Sequence, residues 1–253
     1  MSGRRRGRSL PVASSVLAVC AHPDDESFGL GAVLHHFVAN GADVAMLCFT
    51  RGEASSLGLS ERALSEVRSN ELAGAATALR IGRVKLLDCS DGSLAQQSLE
   101  GLATEVGAMA GEVSADLLVV FDEGGVTGHP DHHRATKAAL AGAPNLPVLA
   151  WTLPNKVVDA LNAEFGITFV GRDDPEIDFV LSVDRTQQRR AIACHTSQSS
   201  DNPVLWRRLQ LLGNEEFLRW LRPPESNLQV RVGDRSDFLQ MPPDDGNSAL
   251  ADE

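Results

Sequence analysis

Short runs of apolar residues, each followed by a segment with helical periodicity, recur along the first half of the chain. They constrain its fold more than any other feature. Val16–Ala21 reads as a buried strand; Leu30, Val33, Leu34 and Phe37 then recur at helical spacing within Ser27–Asn40, and Asn40-Gly41 is a stop signal. The pattern repeats as a strand over Asp43–Phe49, a helix over Ser60–Leu79, a strand over Val84–Leu87 and a helix over Leu94–Val113. Leu117–Phe121 is the next strand, Asp131–Leu140 the next helix and Val148–Trp151 a further strand. Strand alternating with helix implies parallel βαβ units, so the expected fold class is α/β: a doubly wound, mostly parallel, Rossmann-like sheet flanked by helices.

The later part changes character and predicts a smaller C-terminal α+β portion. Phe169–Val183 suggests one or two strands, Asp184–Ala193 a helix, and Pro203–Leu221 a last helix whose Leu205, Leu209, Leu212 and Trp220 dock on the core. Residues 1–13 are basic and rich in Ser and Gly, which predicts a flexible arm. One domain is expected over 14–222, and the Pro-, Asp- and Ser-rich stretch 223–253 is expected to be a disordered acidic tail.

The composition excludes several function classes. A net charge of −11 over 253 residues argues against a nucleic-acid binder, which would show a basic face. Cys20, Cys48, Cys89 and Cys194 are scattered with no CxxC pairing, so neither a disulfide framework nor a structural zinc knuckle is indicated; free thiols in a reducing cytoplasm are the expectation. No apolar run approaches the length of a membrane span. Arg4-Arg5-Arg6 and the apolar stretch after it imitate a signal peptide, but Ser14 and Ser15 interrupt that stretch, and cleavage near Ala21 would remove the first strand. Nothing in the sequence predicts the oligomeric state.

Two polar clusters follow buried strands. Ala21-His22-Pro23-Asp24-Asp25-Glu26 follows the first, and Gly128-His129-Pro130-Asp131-His132-His133 follows Leu117–Phe121. Ligands of open α/β sheets bind outside the carboxyl ends of the strands, so the two clusters read as halves of one site. A hydrolytic metal site needs about three protein ligands and an open position for water. His22 and Asp25 straddle the turn from strand to helix and can reach one ion; Asp24 points elsewhere and is free to act as a general base on water at that ion. One histidine of the second cluster can supply the third ligand, and another can polarise a carbonyl or carry protons. Two His and a carboxylate suit non-haem Fe(II) as well as Zn²⁺.

The two His-Pro-Asp motifs, in this order and spacing, resemble those of the PIG-L/LmbE-like zinc N-deacetylases, which remove an acetyl group from N-acetylglucosaminyl conjugates. The resemblance runs from about residue 16 to 200. It includes Thr50-Arg51-Gly52-Glu53, Arg68-Ser69-Asn70-Glu71-Leu72, Asp91-Gly92 and His195-Thr196-Ser197-Gln198. It implies that His22, Asp25 and His132 are the zinc ligands and Asp24 the general base. It further implies that His129 stabilises the oxyanion or protonates the leaving amine, with Asp131 orienting it, that Arg68 and Asp91 contact the sugar, and that Glu53 lines the pocket. Family members acting on the mycothiol precursor carry a Tyr just before the second motif; this chain has no Tyr, and Thr127 stands there.

The expected function is therefore a metal-dependent hydrolase, with Zn²⁺ or alternatively Fe²⁺, that removes acetate from a small amino-sugar conjugate. Substrate choice is expected from the loops near 53–60, 89–94 and 152–175. An amidase of a larger thiol conjugate is one alternative. A nucleotide-binding module is another, opposed by the lack of GxGxxG after the first strand and by carboxylates where a pyrophosphate would sit.

Overall fold

A computed structural model describes residues 7–55, 61–124 and 126–225. Its elements in chain order are β1 (Ser15–Cys20), α1 (Asp25–Phe28), α2 (Gly31–Ala39), β2 (Asp43–Thr50), α3 (Glu61–Leu79), β3 (Arg83–Cys89), α4 (Leu99–Glu112) and β4 (Leu117–Phe121). There follow α5 (Pro130–Gly142), β5 (Val148–Thr152), α6 (Asn155–Phe165), β6 (Phe179–Ser182), α7 (Thr186–Cys194), α8 (Thr196–Ser199), α9 (Pro203–Leu212) and β7 (Glu215–Arg222). The strands form a seven-stranded sheet in the order β3-β2-β1-β4-β5-β7-β6.

The first five strands are parallel. Because β4 and β5 are buried along their whole length, the sheet is covered on both faces, as parallel sheets require. Alternate residues of β1 feed two cores: Val16, Ala18 and Cys20 pack with Leu34, Leu72 and Leu161 on one face, whereas Leu17 and Val19 pack with Leu102, Val106 and Ala138 on the other. Chain order reverses between β1 and β4, with β2 on one side of β1 and β4 on the other, so a crevice opens beyond their carboxyl ends.

Several elements differ from expectation, each for a local reason. The helix expected over Ser27–Asn40 is two helices broken at Gly29, where an added Cβ would lie 2.6 Å from Phe121 Cζ and 3.2 Å from the Trp151 ring. The Leu94–Val113 segment is a 3₁₀ turn at Leu94–Gln96 followed by α4, whose N-cap Ser98 accepts from Gly101 N–H. The last helix stops at Leu212 because Gly213 takes φ 57, and Glu215–Arg222 becomes β7, antiparallel to both β5 and β6. A single strand, β6, forms within Phe169–Val183, and 155–165 is helix α6 rather than loop.

Within the basic arm, Gly7 bridges Phe179 of β6 and Leu10 is buried, so its second half lies on the domain rather than free. The acidic tail, apart from 223–225, and the first six residues of the arm lie outside the described residues. Among the described residues no helix is long and apolar enough to cross a membrane.

Candidate active site

The first half of the site is the turn from β1 into α1. The Asp25 carboxylate folds back on its own turn, where Oδ2 accepts from the amides of Ala21 (2.9 Å) and His22 (3.0 Å). Asp24 takes φ 116, a region disfavoured for a side-chain-bearing residue, which swings its carboxylate away from that of Asp25. Glu26 holds the strained peptide by accepting from Asp24 N–H at 2.9 Å. Glu26 is itself held by Ser27 and by His195 Nε2 at 2.6 Å, and both Glu26 and His195 are fully buried.

The second half is the start of α5. His129 is the N-cap, and its Nδ1 accepts from Asp131 N–H at 3.2 Å. A nitrogen that accepts carries no proton, so Nε2 is the protonated nitrogen of a neutral ring. Burial lowers the His129 pKa, and His22 and His132 nearby lower it further. In this arrangement the ring presents Nε2–H as its donor.

The two halves converge on three donor atoms. His22 Nδ1 lies 3.2 Å from His132 Nε2, and His132 Nε2 lies 3.0 Å from Asp25 Oδ1. The outer nitrogens are engaged elsewhere. His22 Nε2 meets Asp91 Oδ1 at 2.9 Å, and His132 Nδ1 meets Thr127 Oγ1 at 3.0 Å. A carboxylate only accepts, so His22 carries a proton on Nε2, and Nδ1 is the nitrogen that faces His132. Inward-facing nitrogens with carboxylate and hydroxyl partners behind the rings are the arrangement of metal-ligating histidines. The donor set His22, Asp25 and His132, with all ligand atoms within 4.8 Å of one another, thus fits a divalent cation. Burial pulls the His22 pKa down, but the carboxylates of Asp131 and Asp91 outweigh it and hold the group up to about 10. Burial likewise pushes Asp25 up, but His132 and His22 outweigh it and leave Asp25 well below the usual carboxylate range. At neutral pH the His22 ring thus holds a second proton, which a cation bound at Nδ1 would displace.

Asp24 lies outside the triad. Burial pushes its pKa up to about 6 against the pull of Arg68, whose Nη2 sits 2.8 Å from Asp24 Oδ2. Arg68 also donates to the carbonyls of Gly52 (2.7 Å) and Pro23. Gly52 has φ 68, and a Cβ there would collide with the Arg68 guanidinium.

The remaining residues expected at the site fall as follows. Asp131 is fully buried and accepts from Gly92 N–H (2.8 Å) and Leu94 N–H (3.0 Å). Its side chain approaches His22 Nε2 at 3.4 Å, while its main-chain N–H donates to the His129 ring. Asp91 lines the cavity but spends one oxygen on His22 and the other on Ala54 N–H. Glu53 accepts from Asp91 N–H at 2.9 Å and so braces that loop instead of facing the cavity. Arg68 lines the cavity with its Nη1 and Nη2 donors directed at Asp24 and the two carbonyls, and its Nε–H is buried without an acceptor.

The cavity over the triad measures about 360 Å³, within the usual range of small-molecule sites. Its far wall was not foreseen. Gln198, Asn202, Leu205 and Arg208, from α8 to α9, line it together with Phe28 and Phe169. Of the 152–175 segment, Phe169 alone lines it. A signal for this wall was present: Leu205, Arg208, Leu209 and Leu212 share one face of α9, and a charged residue on an otherwise apolar face is out of place unless it has work there.

The fold and site thus define a class, an α/β protein with a His₂-carboxylate donor set able to hold a cation at the topological switch point. Comparison with known proteins narrows it. The family model for the GlcNAc-PI de-N-acetylases (PIG-L) matches residues 17–143. A 1D-myo-inositol 2-acetamido-2-deoxy-alpha-D-glucopyranoside deacetylase of Mycolicibacterium vanbaalenii is 30% identical over 233 residues, 74% of this chain and 82% of that one. A deacetylase of the same name from Kineococcus radiotolerans is 34% identical over 159 residues, 49% of this chain, and the match spans less than half, 44%, of that relative. The crystal structure of a zinc-inhibited form of teicoplanin deacetylase superposes with a TM-score of 0.60 at 21% identity, covering 84% of this chain and all of that one, which establishes the shared fold. The chain belongs to the GlcNAc-PI de-N-acetylase (PIG-L) family. It is by that membership a deacetylase, a hydrolase acting on an amide bond.

Proposed function

We propose that the chain removes the acetyl group from an N-acetylglucosaminyl-type conjugate, with His22, Asp25 and His132 holding Zn²⁺ and Asp24 acting as the general base. One observation carries the reading: Asp24, a carboxylate kept out of the ligand triad by its backbone turn, opens into the same cavity as the three donors. When bound, a divalent cation would polarise the amide carbonyl and acidify water. Asp24 takes the proton from the attacking water, and the Arg68 guanidinium keeps it ionised for that step. The neutral His129 Nε2–H donates to the oxygen on which negative charge develops. Asp24, now protonated, returns its proton to the departing amine, and acetate and a free amino sugar result. Thr127 stands behind His132, where it orients the ring.

Zinc is favoured over Fe²⁺ by the family resemblance; the donor set accommodates either. A reducing compartment, the cytoplasm, suits four cysteines that are all free. The test is acetate release from N-acetylglucosamine conjugates by metal-depleted enzyme before and after zinc or iron is restored. Metal-dependent release supports the reading; a fully metal-loaded enzyme that releases none from any conjugate overturns it.

A further inference from the structure

Two guanidinium groups line the cavity, and they are in opposite electrostatic situations. Arg68 is neutralised by Asp24 at 2.8 Å. Arg208 is 6% exposed, and among the described residues no carboxylate lies within ion-pair distance of it. Its Nη2 donates to the Phe28 carbonyl at 2.7 Å, its guanidinium lies 5.2 Å from the centre of the Trp151 ring, and its Nε–H is buried without an acceptor. Carboxylates act on it only at longer range, Glu216 first and then Asp24 and Asp25, and Glu216 is already paired with Arg185, so the buried charge has no anion of its own. Burial lowers the Arg208 pKa to about 10, so the group still carries its charge at neutral pH.

Holding α9 against the end of α1 does not require such a residue. Leu205 and Leu209, on the same face, already bury themselves against Ile192 and Phe28. A buried guanidinium with no ion pair, lining a cavity that Asp24, Asp25 and Asp91 also line, makes that cavity bipolar.

We propose that Arg208 is the anchor of an oxyanion subsite, and that the substrate carries a carboxylate or phosphate group away from its acetamide. The planar fork of arginine matches either group in two parallel hydrogen bonds. Gln198 and Asn202, on the same wall, supply neutral polar contacts beside it. The inference deepens the deacetylase reading and rests on it for the amino-sugar part of the ligand.

The test compares the methyl glycoside of N-acetylglucosamine with its carboxymethyl glycoside, its 1-phosphate and its 6-phosphate, using metal-loaded wild-type enzyme and Arg208→Gln. The wild type is expected to prefer at least one anionic member by about 10- to 100-fold in kcat/KM, mostly through KM, the scale of one charge-assisted pair. In R208Q that preference collapses. Which anionic member gains separates carboxylate from phosphate. Calorimetry with the corresponding free amines provides a readout independent of turnover. Anion-selective binding that depends on Arg208, without acetate release from any conjugate, would leave the subsite standing and overturn the deacetylase reading. Should R208Q not fold, Arg208→Met, which keeps the apolar stem against Trp151, carries the same comparison. Equal affinity for neutral and anionic members in the wild type, or an undiminished preference in the variant, overturns the proposal.

Discussion

Arg68 and Asp24 meet at 2.8 Å although 44 residues separate them, and their contact fixes both the direction and the charge of the carboxylate that faces the cavity. Burial raises the Asp24 pKa to about 6, and Arg68 is the strongest influence in the other direction. A base acts only when ionised, so activity is expected to fall as pH drops through about 6. Without Arg68 the Asp24 pKa rises further, and the acid limb moves to higher pH. Arg68→Met should show that displaced limb in its pH–rate profile. Asp24→Asn should lose about 10²–10⁴-fold in kcat with its metal content intact by elemental analysis. An R68M profile that overlays the wild type would exclude Arg68 from this role.

Asp91 stands behind His22, with its Oδ1 2.9 Å from Nε2. Loss of such a partner typically weakens metal affinity about 10- to 100-fold. Asp91→Asn should therefore give up its metal to a chelator at correspondingly lower concentration. If Asp91 acted on the sugar instead, KM would rise while the chelator titration stayed unchanged.

The donor expected at His129 is the neutral ring, because Nδ1 accepts from the Asp131 amide. Activity should then hold steady as pH climbs above neutrality, where an imidazolium donor would lose its proton. Replacement by Ala should cost about 10²–10³-fold in kcat, the usual effect of removing one oxyanion donor. A steep alkaline loss in the wild type that disappears in His129→Ala would point to the charged form.

His195 and Glu26 form a fully buried pair directly beneath the Asp24 turn. Taking away one member of such a pair leaves the other uncompensated, at a cost of about 3–5 kcal/mol. His195→Ala is thus expected to unfold at markedly lower denaturant concentration. A variant with wild-type stability would mean that Glu26 finds another partner.

Much of this architecture was legible in local sequence. The strands of the parallel half announce themselves because strands buried on both faces are continuously apolar, and the His-Pro-Asp clusters stand out because each follows such a run directly. What was hidden depends on contacts between distant segments. Glu26 and His195 are 169 residues apart, and nothing local marks them as partners. Arg208 belongs to the cavity only because α9 packs across the end of α1. β7 was misread as helix because Glu215–Arg222 is rich in residues that suit either state; the stop at Gly213-Asn214 was the better guide.

The placement of β7 has a consequence for how the molecule comes into being. β7, the last strand among the described residues, lies in the interior of the sheet, between β5 and β6, rather than at a margin. Its Glu216 takes the indole N–H of Trp151 at 2.7 Å, and its Arg219 reaches Asp122 at the end of β4 at 3.1 Å. A chain ending at Gly213 would forfeit two strands rather than one, since β6 would have no sheet neighbour to carry it. The residues of the triad, by contrast, all precede position 133. A nascent chain therefore holds His22, Asp25 and His132 well before it holds Arg208 and the rest of the α9 wall.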